Sequence, residues 1–393
     1  MFRTIFIVSC GTALFILALT LNLKANRDAG VRSHISSGIA FLSDKKYDKA
    51  VGAWREALRL DPQMPDAYLL LSEYYISSGQ SENAIPLLER LKKIAPATPL
   101  LYTKLAEAYT VAGKPDEAFA AAKEAVKNEP ESPEAHALLG IQLANRASVK
   151  EGVAELSRAV LLAPENPRIL TSLAQAQLDA GDFVGAEASA RNALKKSPDF
   201  QTAWFVLGFS YSRRNPSPEN LREAITAFER LAQLAPDRGD GLSELGRLYN
   251  LAGRPADARK TLEALWRKGF KSDEIAFNLA KAYRLTGDQK RSLQMTAEFN
   301  RISQYTRQHD DLTKQMISSS NRPEVALKLV KLETEAKNFE GAVPLLEKLL
   351  QINPGDLETL KAAIKVYEGL GNQKAVEFYR QKISRIKLTG VAQ

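Results

Sequence analysis

Large apolar residues, small residues and prolines recur along this chain at a fixed spacing. Prolines placed to end a helix follow one another at four equal intervals: Pro62, Pro96, Pro130, Pro164 and Pro198. Pro236 comes after a slightly longer interval, and Pro354 belongs to a later unit. A period of about 34 residues predicts helix pairs that stack on one another, because one pair alone cannot bury its apolar face.

Equivalent positions of successive units carry residues of similar size. The unit that begins at Val31 shows the series Gly38, Phe41, Ala50, Trp54, Ala57 and Pro62. The alternation returns, with local losses, in units that begin at Pro65, Pro99, Pro133, Pro167, Gln201, Gly239, Asp273, Pro323 and Leu357. Small side chains allow two helices to approach closely, and large ones fill the remaining space.

The pattern resembles the tetratricopeptide repeat family, whose units place bulky residues at positions 4, 7, 11 and 24 and small residues at positions 8, 20 and 27. The resemblance covers most of the chain and implies an all-α fold, a right-handed α-solenoid of about nine to ten helix pairs, together with an N-terminal apolar helix. Glycines at position 15 suit the left-handed residue that ends a first helix. They are Gly79, Gly113, Gly181, Gly253, Gly287 and Gly371.

Two segments depart from the repeat. Four extra residues fall within Arg213–Pro218, inside the unit that begins at Gln201. The segment Asp288–Ser318 has the composition of one long polar helix, with side chains at loosely heptad spacing: Phe299, Ile302, His309, Leu312 and Met316. This helix either covers the end of the first array as an elongated second helix or provides a surface for self-association.

These patterns predict four regions. Residues 1–24 form an N-terminal anchor or signal segment, and residues 31–306 form an array of about eight repeats. Residues 307–322 form a helix extension and linker, followed by a C-terminal pair of repeats over residues 323–390.

The segment Ile5–Leu23 contains no charged residue. At a helical rise of about 1.5 Å per residue it would cover about 28 Å, close to the hydrocarbon core of a bilayer. We expect a retained membrane anchor, with cleavage near Ala25 and export as the alternative and a lipoprotein at Cys10 as a remote one. Basic residues are more numerous after the segment than before it, so the repeats lean towards the cytoplasmic side, although the margin is small.

Composition leaves little material for catalysis. The chain has one cysteine and three histidines, His34, His136 and His309, and it lacks the common nucleotide, zinc-protease and hydrolase motifs. His34 and His136 occupy position 4 of their units, where other units have Tyr or Trp, so we expect them to pack. The sequence therefore predicts no catalytic residue, no metal site, no cofactor and no enzymatic activity.

The net charge is +8, and the excess of basic residues lies in the second half of the chain. Residues 1–200 have 23 basic and 23 acidic side chains, whereas residues 201–393 have 31 basic and 23 acidic ones. A lightly basic solvated surface and a functional electropositive face both fit this distribution. There is no concentrated basic run, so no nucleic-acid partner is expected.

The family resemblance implies that a protein or peptide partner binds the concave surface, lined by first helices at positions 2, 5, 6, 9, 12 and 13. Aromatic and basic residues at these positions suit an acidic partner: Phe205, Phe209, Arg213, Arg247, Asn250, Phe277, Asn278, Lys281 and Arg284. A second, apolar stripe suits an amphipathic or extended segment: Ile35, Ile39, Leu42, Leu69, Leu70 and Ile76. Either set could instead be ordinary packing. The Lys/Asn clamp of chaperone-binding relatives is not reproduced.

Together these observations predict a membrane-associated adaptor that holds a protein partner during assembly of an envelope or secretion complex. A regulatory subunit that recruits a separate enzyme is the first alternative, and a nucleic-acid-binding solenoid is a remote one.

Overall fold

The computed structural model describes residues 29–215, 217–318 and 322–390, which form twenty α-helices and no strand. The helices are α1 Ala29–Ser43, α2 Tyr47–Leu60, α3 Pro65–Ser77, α4 Ser81–Ile94, α5 Leu101–Val111, α6 Pro115–Asn128, α7 Pro133–Asn145, α8 Val149–Leu162, α9 Pro167–Asp179, α10 Phe183–Lys196, α11 Gln201–Ser212, α12 Pro218–Leu234, α13 Gly239–Leu251, α14 Pro255–Arg267, α15 Asp273–Leu285, α16 Gln289–Ser318, α17 Arg322–Glu335, α18 Phe339–Ile352, α19 Leu357–Gly369 and α20 Gln373–Gly390. Within the described ranges, the predicted all-α fold is confirmed.

Consecutive helices pack as antiparallel pairs of a first and a second helix, and the chain divides into two compact units between Pro236 and Asp237. The first unit contains the six pairs from α1 to α12, and the second contains the four pairs from α13 to α20. Within each unit, first helices of adjacent pairs also touch, as α3 touches α5 and α13 touches α15. The region boundaries predicted from the sequence stay a prediction.

The register of the repeat is visible in how position 8 meets position 24. A Cβ atom added at Gly38 would overlap the indole of Trp54, and one added at Gly246 would lie 2.5 Å from Leu262. Trp54 and Leu262 are fully buried. Each large side chain therefore occupies the space that the glycine of the facing helix leaves open.

Most turns inside the pairs contain a left-handed residue, as expected from the position-15 glycines. Gly113 has a φ of 68°, and the other five predicted glycines also have positive φ. Three of the units that lack glycine at this place adopt the same conformation with Lys45, Ala147 and Lys337, whose φ angles are 60°, 63° and 63°. The turn geometry is thus set by the pairing of the helices, even where the residue is strained by its Cβ atom.

Residues at position 4 reach back to the carbonyl group of the proline that ends the preceding helix. The Tyr68 hydroxyl donates to the Pro62 carbonyl oxygen at 3.0 Å, and Trp204 Nε1 donates to that of Pro198 at 2.7 Å. His136 Nε2 lies 2.9 Å from the carbonyl oxygen of Pro130. The expectation that His136 is a packing residue agrees with this contact and with its burial.

The predicted long helix is confirmed as α16, a single helix of 30 residues. Its N-terminal half packs on α15, where the Phe299 ring lies 5.5 Å from that of Phe277. Its C-terminal half packs on α17, because Tyr305 donates to Glu333 at 3.0 Å and His309 Nε2 lies 3.3 Å from the same carboxylate. The heptad-spaced side of the helix is therefore engaged by its own chain.

The apolar segment at residues 5–23, with the predicted anchor or signal at residues 1–24, lies outside the described residues. Within the part of the chain that the structure describes, no helix has the length and apolar character needed to cross a bilayer.

Candidate partner-binding face

Helices α13 and α15 lie side by side and are joined by a hydrogen bond between two of the predicted site residues. Asn250 Nδ2 donates to the backbone carbonyl of Asn278 at 2.8 Å, and Asn278 Nδ2 donates to the carbonyl of Glu274 at 3.0 Å. Asn250 and Asn278 are both buried. The Asn250 amide therefore links the two helices, whereas the Asn278 amide bonds within α15, and both nitrogen atoms are already occupied.

Arg247 forms an ion pair with Glu244, which was not among the predicted site residues. Its guanidinium donates two hydrogen bonds to Glu244, at 2.7 and 2.6 Å, and the Glu244 side chain is only 10% exposed. The hydrogen bond from Arg247 to Glu244 raises the pKa of Arg247. The charge of Arg247 is thus largely compensated inside the chain, which weakens its predicted role as a donor to an acidic ligand.

Lys281 and Arg284 are the uncompensated cations of this surface. Neither forms an ion pair or a side-chain hydrogen bond with any residue of the described ranges, and Arg284 is exposed. At the other end of α15, burial raises the pKa of Glu274, and the nearby Glu244 carboxylate adds to that effect. Acidic side chains lie in the first turn of α15, and a basic side chain lies in its last turn.

Exposed apolar side chains accompany the two cations. Phe277 is 52% exposed, Leu251 is 55% exposed and Leu285 is 50% exposed. Leu251 and Leu285 occupy the same repeat position, 13, at the ends of α13 and α15. The repeat pattern predicts that this position faces the groove, but these leucines were not among the predicted site residues. We call this surface, made of Leu251, Phe277, Lys281, Arg284 and Leu285, the α13/α15 face.

Two buried polar atoms of α13 lack a hydrogen-bond partner among the described residues. They are the Asn250 Oδ1 atom and the Ser243 hydroxyl. An unsatisfied buried polar atom costs about 1–3 kcal/mol. Both atoms are shielded from solvent, so a donor from a partner could reach them only after neighbouring side chains move.

The other three residues of the predicted basic site lie on or just after α11 in the first unit. The Phe205 and Phe209 rings have centroids 4.7 Å apart, and Phe209 lies 5.2 Å from the buried Phe228 ring. The Arg213 guanidinium stacks over Phe209 at 4.9 Å from its centroid. These residues form a separate aromatic cluster, which a cation covers on one side.

Half of the residues of the predicted apolar stripe are buried in the core of the first unit. Ile35, Leu69 and Leu70 are buried, with 1%, 4% and 3% exposure. The remaining three members, Ile39, Leu42 and Ile76, are partly buried and pack against that core. A partner could therefore touch only the second group without opening the helix pairs.

A charged network on the first helices of the first unit was not anticipated. Lys104 Nζ lies 2.6 Å from Glu73 and 2.7 Å from Glu107, and its side chain is only 11% exposed. Burial raises the pKa of Glu107, and the carboxylates of Glu73 and Glu134 act in the same direction. The spacing of Lys104 and Glu107 on α5 was the available signal, but Glu73 comes from α3.

No group of three or more His, Cys, Asp or Glu side chains that could hold a metal ion occurs in residues 29–215, 217–318 or 322–390.

Comparison with protein families and solved structures agrees with this geometry. Family models described as tetratricopeptide repeat match residues 41–108 and 218–282, residues 99–141, and residues 171–211. A search of curated proteins gave no match.

Several solved structures are similar to this chain at low sequence identity. A monomeric mutant of IFIT1 with m7Gppp-AAAA is 17% identical, with 95% of this chain and 86% of that chain covered and a TM-score of 0.52. TTC0263, a repeat protein of Thermus thermophilus, is 22% identical, with 46% and 98% coverage and a TM-score of 0.40. The type IV pilus biogenesis factor PilW is 21% identical, with 54% and 97% coverage and a TM-score of 0.49. At these identities the likeness concerns the fold alone.

Proposed function

This chain belongs to the tetratricopeptide repeat family, and from that premise we propose that it is a non-enzymatic scaffold that binds a segment of a partner protein on the α13/α15 face. The segment carries both acidic and apolar side chains. Lys281 and Arg284 receive the carboxylates, while Leu251, Phe277 and Leu285 cover the apolar side chains.

The observation that carries the proposal is the combination of uncompensated cations with exposed apolar groups on two adjacent helices. A surface phenylalanine and two surface leucines expose half or more of their side chains beside Lys281 and Arg284. Removing such apolar area from water favours binding by about 25 cal/mol per Å², before the entropic cost of association is subtracted. Each charge-assisted hydrogen bond contributes about 1.5–3 kcal/mol where water is excluded.

The test uses a displayed library of random peptides selected on the full chain. We expect enrichment of peptides that combine Asp or Glu with Leu, Ile or Phe. Binding of a selected peptide, measured by fluorescence anisotropy, should fall by about 100-fold in a Lys281→Glu, Arg284→Glu variant, consistent with two lost charge-assisted contacts.

The matched control places the same charge changes on second helices of the same unit. Lys260 of α14 and Lys290 of α16 are exposed, and neither has an ion pair among the described residues. The Lys260→Glu, Lys290→Glu variant should bind as the natural protein does. Equal loss in both variants would indicate general electrostatic attraction, and retention in both would move the site away from the α13/α15 face.

We also propose where the protein acts in the cell, on the basis of its sequence. The scaffold is attached to a membrane through residues 5–23 and serves in assembly of an envelope or secretion complex. The length and apolar character of that segment support this part. Sedimentation with membranes and sequencing of the mature N-terminus test the membrane attachment. A mature N-terminus near Asn26 would show that the segment is cleaved and that the protein is exported.

Two alternative functions predict different experimental results. Recovery of one stoichiometric catalytic partner with the full chain would favour a regulatory subunit that recruits an enzyme. Binding of RNA or DNA with a steep dependence on salt would favour a nucleic-acid-binding solenoid.

A further inference from the structure

Helix α20 has more basic than acidic side chains. Its eighteen residues include five basic side chains and one acidic side chain, Glu377. The basic residues are Lys374, Arg380, Lys382, Arg385 and Lys387.

One side of α20 belongs to the core of its pair. Val376 is 1% exposed, and the Tyr379 ring stacks on Tyr367 of α19 with centroids 5.6 Å apart. Ile383, seven residues after Val376, continues this side and is partly buried. Because successive helical residues are about 100° apart, the opposite side is centred near Gln381.

The opposite side presents apolar and basic side chains together. Phe378 is 58% exposed and Leu388 is 75% exposed, which are high values for residues of this size. Lys374 and Arg385 lie between them around the helix, and Lys382 borders the same side. We call the set Lys374, Phe378, Gln381, Arg385 and Leu388 the outer face of α20.

Most of the charge on α20 is not balanced by its own chain. Arg380 forms an ion pair with Glu368 of α19 at 2.5 Å. Lys374, Lys382 and Lys387 have no ion pair with any residue that the structure describes. Three cations are therefore available to an external anion.

We infer that the outer face of α20 binds the surface of an anionic membrane. A basic amphipathic helix lies in the interfacial plane, with its apolar side chains at the acyl boundary and its lysines near the phosphates. Phe378 and Leu388 supply the apolar contacts, Lys374 lies between them around the helix, and Lys382 borders the same side. Charge complementarity excludes a second copy of α20 as the occupant, because two such faces repel one another. The two large apolar groups favour a lipid surface over a purely polar polyanion.

The experiment uses the full chain and a fluorescent probe on α20. The signal therefore reports on α20 and not on insertion of residues 5–23 into a bilayer. The only cysteine is Cys10. A Cys10→Ser, Gln381→Cys variant labelled with an environment-sensitive fluorophore places the probe on the outer face. Vesicles of phosphatidylcholine alone are compared with vesicles in which about a quarter of the lipid is phosphatidylglycerol.

We expect a blue shift and an intensity rise with the anionic vesicles only, reduced by raised salt. The Lys374→Glu, Lys382→Glu variant should weaken the response by about 10-fold or more. The control variant, Lys93→Glu with Lys150→Glu, changes two exposed lysines of the first unit and should leave the response unchanged. Circular dichroism of each variant checks that the helical fold is retained.

Three outcomes would overturn the inference. The label could fail to respond to anionic vesicles, or it could respond equally to neutral ones. It could also respond to heparin or RNA in solution as strongly as to the vesicles, which would assign the face to a soluble polyanion. This inference does not depend on the α13/α15 face, so either can fail alone.

Discussion

Gly208 of α11 lies directly against the ring of Phe228 of α12: a Cβ atom on Gly208 would come within 2.7 Å of the ring carbons Cε2 and Cζ. Phe228 is buried, with 1% of its surface exposed. Gly38, Gly140 and Gly246 face Trp54, Leu156 and Leu262 in the same way. In these four units the large residue at position 24 therefore fills the space beside the glycine at position 8.

Gly208→Ala should lower the free energy of unfolding by about 1–3 kcal/mol, because the added methyl group displaces a packed ring. Urea denaturation measures the change. Gly52→Ala on α2 is the control, since nothing lies within 4 Å of its added Cβ atom. That variant should be stabilised by about 0.5–1 kcal/mol through helix propensity. A destabilised Gly52→Ala protein, or an unaffected Gly208→Ala protein, would contradict the register.

Ala147→Gly should stabilise the protein by about 0.5–1 kcal/mol. Ala147 has a φ of 63°, a conformation that glycine adopts without the clash of a Cβ atom. The reverse change, Gly113→Ala, meets no neighbouring atom within 4 Å, so its cost would come from the backbone alone. Thermal unfolding should therefore move in opposite directions for the two variants. A shift of the same sign in both would refute this account of the turns.

Arg247→Glu should destabilise the second unit by about 1–3 kcal/mol, because it leaves the Glu244 carboxylate without its two charged donors and adds a like charge beside it. The exchange Glu244→Arg with Arg247→Glu should recover part of the loss. Lys281→Glu, whose side chain has no ion pair in the described ranges, should change stability by less than about 0.5 kcal/mol. Urea titrations compare the three proteins, and equal stability of all three would show that the Glu244–Arg247 pair is unimportant.

Asp356 should stabilise the start of α19 only while it is ionised. Its carboxylate accepts from the Thr359 hydroxyl and from the Thr359 backbone N–H, and these bonds lower its pKa. A lowered folded-state pKa gives stability that is present above the unfolded value and is lost as pH falls through the folded value. Asp356→Ala should therefore cost about 0.5–2 kcal/mol at neutral pH. The cost should shrink as pH falls below about 4, and a constant cost across that range would count against it.

The sequence was sufficient for the helices, their pairing and the turn glycines, because residue size at fixed intervals encodes them directly. It was not sufficient for the site. Spacing alone could not show that Arg247 forms an ion pair with Glu244 of its own helix, whereas Lys281 forms no ion pair with a described residue. It also could not show that Leu69 and Leu70, although groove-facing in the repeat, are covered by neighbouring helices. Both outcomes depend on distances between helices, which the period does not specify.

The 30 residues of α16 form one uninterrupted helix, and this fixes the directions in which the side chains of its two halves point relative to each other. A loop between helix pairs can absorb a residue gained or lost, but a continuous helix cannot. Deleting one residue after Phe299 would turn Tyr305 and His309 by about 100° away from Glu333. An insertion of about seven residues would restore their direction to within about 20°. Length variation in α16 should therefore be tolerated only in steps near whole turns.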